Sequence, residues 1–242
     1  QIYVFLTNRE EAGTYALLSI LVCVVTTGYT SAIIAFSTDV SLAGRTNQPK
    51  HNGYVPENDR LRSRCFWLMT AMGALHNLSR SVGCALLIVA GGKTLAAVFL
   101  GGEMALYLLY KLGRGDMFYF MRVDGVLAVI VGLSTRILVK IGSDFSGCLH
   151  FRHPYEMGGL AFSVNIVYAQ IFPFFALYFY QKSVDDVDEN QSITVGLIGS
   201  FGLWVAVVVA FFCTIEKKYI RTFFSRLTSA QYTCERFVTN EA

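Results

Sequence analysis

The chain has 242 residues, 54% of them hydrophobic and only 15% charged, with a formal net charge of +3. An ordinary soluble domain carries roughly 25% charged residues, so a water-soluble globular protein is excluded and a membrane is the expected solvent. So small a net charge gives no basic footprint for nucleic acid, and no nucleic-acid partner is expected.

Six apolar runs are long enough, or nearly so, to cross a bilayer: about 12–36, 65–90, 94–112, 125–141, 157–180 and 192–214. None alternates over about ten residues as barrel strands do. The expected fold is therefore all-α, a polytopic membrane protein with six transmembrane helices in residues 1–214. Residues 215–242 are expected to form an amphipathic interfacial helix.

The first run has no short apolar core followed by a small-residue cleavage site, so it reads as a span rather than a signal peptide. Because the chain begins at Gln1 rather than Met, it is expected to be processed or to be a piece of something longer. The polar stretch from Ser37 to Arg64 exceeds a minimal connection, and such loops tend to be functional or disordered. Its last residues, Arg60, Arg62 and Arg64, are expected to anchor the second span against lipid phosphates. The sharper reading of the same run is a specific anion or headgroup site.

Spans two and three are separated by only Gly91, Gly92 and Lys93. Counting back from that turn at about 1.5 Å per residue places Arg80 and Glu103 at the same depth, roughly 16–18 Å in. That is near the centre of a hydrocarbon core about 30 Å thick. Ionisable groups there are costly and mark functional sites by default. His76, Asn77 and Arg80 share one face of the second span, and Glu103 and Tyr107 share one face of the third. The expectation is an Arg80–Glu103 ion pair, with His76, Asn77 and Tyr107 completing a buried network that binds a substrate or ion. Arg136 in the fourth span either extends that network or snorkels to the exit beside Lys140.

Asp124-Gly125-x-x-Ala128 opens like the motif of membrane phosphatidyl-alcohol transferases. Gly132, Arg136 and Lys140 then stand where that chemistry needs metal-binding aspartates, so an enzyme of this type is not expected. His150, His153 and Glu156 have metal-ligand spacing, but Pro154 argues against one helix carrying them all. They are weak ligand candidates, and no other metal site or cofactor class is indicated. Pro173 is expected to kink the fifth span, which also carries Asn165, Tyr168 and Gln170. An acidic loop, Asp185 to Glu189, precedes the sixth span. In the tail, Phe223 and Phe224 fall on an apolar helical face, while Lys217, Lys218 and Arg221 fall on the opposite face, with Arg226 also in the tail. These residues are the expected membrane-surface contacts.

Cys23, Cys84 and Cys213 lie inside spans, where a thiol behaves as a small apolar group, so no disulfide framework is expected. Setting aside Arg80 and Arg136, the other eighteen of the 20 Lys and Arg residues, Lys111 and Lys140 at span ends included, divide equally between the two sides, so the positive-inside rule does not fix the orientation. The acidic fifth loop and basic tail favour both termini in the cytosol. The leading functional expectation is a transporter or channel-type protein for a small ion or solute. The alternatives are a non-catalytic membrane subunit or scaffold, or the membrane module of a sensor. Expected partners are the lipid bilayer and other membrane subunits.

Overall fold

The computed structural model describes residues 2, 9–42, 55–114, 125–146, 159–183 and 187–215. These residues form five helices: α1 (Arg9–Val40), α2 (Asp59–Arg114), α3 (Val126–Ser146), α4 (Gly159–Ser183) and α5 (Val187–Thr214). There is no strand among the described residues. The helices run past the apolar segments that define them. Thus α2 starts at Asp59, and α5 takes in Val187, Asp188 and Glu189, which the sequence assigns to a loop. Three helical stretches are long and apolar enough to cross a membrane, Thr14–Ser37, Asp59–Gly113 and Asn190–Thr214.

The start of α2 is built by Asn58, whose Oδ1 accepts hydrogen bonds from the backbone N–H groups of Arg60 (3.0 Å) and Leu61 (3.4 Å). This satisfies two of the otherwise orphaned donors of a helix N-terminus. The residues before it are tied back to α1, because the Val55 N–H donates to the buried Asp39 carboxylate at 3.0 Å.

α2 is a hairpin rather than one rod. Arg80 and Glu103 are 23 residues apart yet touch, whereas a straight helix would separate them by about 35 Å. The reversal occurs at Gly91 (φ −145°, ψ 21°) and Gly92 (φ 69°, ψ −173°). Gly92 lies in a backbone region that is essentially restricted to glycine, and other residues held there cost of order 1–3 kcal/mol. Gly92→Val is therefore expected to destabilise the hairpin by about that amount, read as a lower melting temperature in detergent. Gly102→Val is the control, since a Cβ there meets nothing within 4 Å.

α1, α4 and α5 pack on the first arm of α2, while Lys140 of α3 meets Glu103 and Tyr107 of the second arm. Gly28 of α1 faces Thr70 and Ala74, while Phe36 meets Phe66 edge to face at 5.5 Å, so α1 is antiparallel to that arm. α5 is antiparallel as well: Leu197 joins the cluster of Leu86, Leu87 and Tyr180, and Phe211 joins that of Cys65 and Met69. α4 runs parallel to the first arm, with Gln170 beside His76 and Ser79 and with Ala176 and Tyr180 beside Leu86 and Leu87. Six spans in strict alternation would make it antiparallel. The segment between Arg114 and Gly159 therefore begins and ends at the same end of the bundle, and α3 is the helix that does not fit a simple up-and-down order.

Apolar and polar surfaces are inverted relative to a water-soluble bundle. Leu17, Leu21 and Val22 of α1, Leu127 and Ile130 of α3, and Val195 and Ile198 of α5 point outward. Arg80, Lys111, Arg136 and Lys140 are all 0–1% exposed. Apolar exteriors of this extent mark contact with lipid or protein. Hydroxyls on the same helices bond to their own backbone, as in Thr27 Oγ1 to the Cys23 carbonyl (2.8 Å) and Thr214 Oγ1 to the Ala210 carbonyl (2.8 Å). That leaves no hydroxyl of these residues bare in a low-dielectric setting.

Candidate functional site

The charged centre is organised by the α2 hairpin. One Glu103 oxygen accepts a hydrogen bond from Arg80 Nη2, and the other lies 3.2 Å from Lys140 Nζ of α3. A single carboxylate is thus shared by two cations from different helical segments. The two cationic side chains are each 2% exposed and the carboxylate 14%. Such a pair cannot be judged by Coulomb attraction alone, because desolvation of both cations opposes it. Two aromatic rings line the charges. The Arg80 guanidinium lies 4.5 Å from the Phe172 ring centroid, and Lys140 Nζ lies 5.9 Å from that of Tyr107. Both are within the range of favourable cation–π contact.

The close approach of α4 to this centre depends on Gly83. A Cβ there would meet the Phe172 ring at 2.6 Å and the Pro173 Cα at 3.3 Å. Pro173, which lacks an N–H, lies inside α4 one residue beyond Phe172, where it removes one helix hydrogen bond.

Within the turn that precedes Arg80, a second polar group bridges α2 and α4. Ser79 Oγ donates to Gln170 Oε1 at 3.2 Å, and Gln170 Nε2 lies 3.2 Å from His76 Nδ1. An amide nitrogen can only donate, so His76 Nδ1 is the acceptor in this arrangement and a neutral ring carries its proton on Nε2. All three side chains are buried. The chain of donors runs from Ser79 through the Gln170 amide to the imidazole.

These contacts sort the residues expected to form the site. Arg80 and Glu103 pair, and Tyr107 is buried beneath Lys140. His76 is buried but bonds to Gln170 of α4. Among the described residues Asn77 bonds within its own helix, its Oδ1 accepting from Ser81 Oγ at 3.1 Å. Arg136 is fully buried. Lys140 departs most clearly from the sequence expectation. The apolar run ends at Ile141, but the helix continues to Ser146, six residues beyond Lys140 and about 9 Å along the axis. The lysine is thereby drawn inside. Lys111 is a further fully buried cation that the apolar pattern does not single out.

His150, His153 and Glu156 lie outside the described residues, as do Lys217, Lys218, Arg221, Phe223, Phe224 and Arg226. No cluster of three or more metal-ligating side chains occurs among the described residues. In comparisons with known proteins, the chain matches no family model, no curated protein and no solved structure.

Proposed function

We propose that this is an integral membrane protein that passes protons or another small ion across the bilayer, with Glu103 as the exchanging group between Arg80 and Lys140. The observation that supports this reading is the difference in burial within the network. Both cations are sealed in the interior, while the carboxylate that joins them is its accessible member. Loss of the Glu103 charge would leave Arg80 and Lys140 with one counter-charge fewer, which couples occupancy of the site to the packing of α3 on α2. The Ser79–Gln170–His76 chain begins at the residue next to Arg80 and offers, at His76 one turn away, a second proton-handling group.

In proteoliposomes with an entrapped pH-sensitive dye, the wild-type protein is expected to acidify the lumen faster than empty vesicles under an imposed potential. Glu103→Gln is expected to bring the rate to background. Undiminished flux in that variant would remove Glu103 from the mechanism.

The directions of the helices carry a proposal about orientation. α1 and α5 are both antiparallel to the first arm of α2 and hence parallel to one another, so in a bilayer they cross in the same sense. With both arms of α2 and with α4 also crossing, the bundle has five crossings, and α3 lies against them without completing a sixth. The N-terminal end of α1 and the C-terminal end of α5 then lie on opposite faces, whereas charge favoured a shared cytosolic side. Protease treatment of sealed vesicles is expected to remove an N-terminal or a C-terminal epitope tag, but not both. Removal of both tags, or protection of both, would contradict five crossings.

A further inference from the structure

At the far end of the bundle from the Gly91–Gly92 turn, the last turns of α1 and the first turns of α2 enclose an open groove of about 370 Å³. Its floor is apolar, formed by Ile33 and Phe36 of α1 and Phe66 of α2. Its other end is polar, with Asp59, Arg62 and Ser63 within two turns of one another. The Arg62 side chain is fixed from two sides: Nε donates to the Pro56 carbonyl at 3.2 Å, and Nη1 is 3.8 Å from Asp59 Oδ1. It is 35% exposed, while the Asp59 carboxylate is 97% exposed.

The polarity changes over a distance that fits a bilayer boundary. Arg62 precedes Phe66 by four residues and Asp59 precedes it by seven, about 6 and 10 Å along the helix. Counted from the Gly91–Gly92 turn as Arg80 is, Phe66 falls about 37 Å along the arm and both charges further still, so the charges lie on the headgroup side of a core about 30 Å thick.

We infer that this groove holds one phospholipid whose headgroup carries an amine, with phosphatidylethanolamine as the defining case. The acyl chain lies along Ile33, Phe36 and Phe66. The phosphate meets the Arg62 guanidinium and the Ser63 hydroxyl, both donors suited to its oxygens. The ammonium group meets Asp59. A purely anionic headgroup would find Asp59 repulsive, and a choline headgroup has no N–H to donate to it. The neighbouring plus and minus charges of Arg62 and Asp59 thus match the minus and plus charges of an ethanolamine phosphate joined by a two-carbon link. This site is separate from the Glu103 centre and does not depend on ion transport.

The test uses the full chain in nanodiscs containing phosphatidylethanolamine, phosphatidylcholine and phosphatidylglycerol with identical acyl chains, followed by native mass spectrometry of the lipids retained on extraction. The wild type is expected to retain phosphatidylethanolamine over phosphatidylcholine by about five-fold, the ratio corresponding to about 1 kcal/mol. Asp59→Asn is expected to bring that ratio close to one while leaving phosphatidylcholine retention unchanged. Arg62→Gln is expected to reduce retention of both. Equal retention of the two lipids by the wild type, preferential retention of phosphatidylglycerol, or an unchanged ratio in Asp59→Asn would each overturn the assignment.

Discussion

Glu103→Ala is expected to be among the most damaging single substitutions in this chain, lowering stability by about 3 kcal/mol. For a protein of this length that corresponds to a fall in melting temperature of roughly 6–12 °C. The reason lies in what is left behind. Arg80 and Lys140 stay buried at the interface of α2, α3 and α4 and lose the carboxylate that both contact. Breaking a buried pair by deleting one partner costs more than the pair itself contributes, because desolvation of the surviving charge is no longer offset. The corresponding compensation is specific. Glu103→Gln combined with Lys140→Met keeps the summed charge of the three groups at +1: Arg80 loses its carboxylate but keeps an amide oxygen as acceptor and loses the neighbouring cation, and the methionine fills most of the lysine stem's volume. That double variant is expected to recover at least half of the loss. Melting curves in detergent for the three proteins give the answer, and a Glu103→Ala variant that melts with the wild type would remove the energetic importance of the network.

The second large effect is expected at Gly28. A Cβ built there would lie 2.5 Å from the Thr70 carbonyl oxygen and 2.6 Å from the Ala74 amide nitrogen. Both neighbours are backbone atoms of α2, and neither can rotate away as the end of a side chain could. Gly28→Leu must therefore push α1 off α2 or distort one of them. The close approach of α1 to α2 also places Tyr29 5.5 Å from the Phe66 ring and sets the rest of that aromatic contact. Overpacking a well-filled contact costs typically about 1–3 kcal/mol and sometimes more, and the upper end is expected here. Gly199→Leu on α5, where a Cβ meets nothing within 4 Å, is expected to leave the melting temperature unchanged. Equal melting of the two variants would mean that α1 is not held against α2 at Gly28.

What can be read from the chain alone divides along physical lines. Helix content, and helices long and apolar enough to cross a membrane, follow from long apolar runs, since composition and length are local properties. The Arg80–Glu103 contact is legible because the two residues flank a short glycine turn at equal distances, and a tight hairpin converts equal distance into contact. The position of Lys140 is not legible, for a related reason. An apolar run marks where hydrophobic residues stop, not where the helix stops, and five further helical residues beyond Ile141 carry the lysine inward. Gln170 can be seen as a polar residue in a span, but its bonds to Ser79 and His76 cross 91 and 94 residues of sequence. No periodicity within α4 names those partners. Asn77 has a local alternative to an interhelical bond, since Ser81 one turn on satisfies its carbonyl oxygen at 3.1 Å. The direction of α4 is equally hidden, since alternation is only a rule for helices that all cross.

The most direct test of Glu103 as an ion-handling group uses the charge-balanced double variant Glu103→Gln, Lys140→Met, once melting has verified that it is folded. Its proton flux in sealed proteoliposomes, measured beside the wild type and empty vesicles, separates an ion-handling carboxylate from a register-fixing one. The expected result is wild-type flux above the empty-vesicle rate and background flux from the folded double variant. Wild-type flux from that variant, or none from the wild type itself, would contradict the proposed role of Glu103.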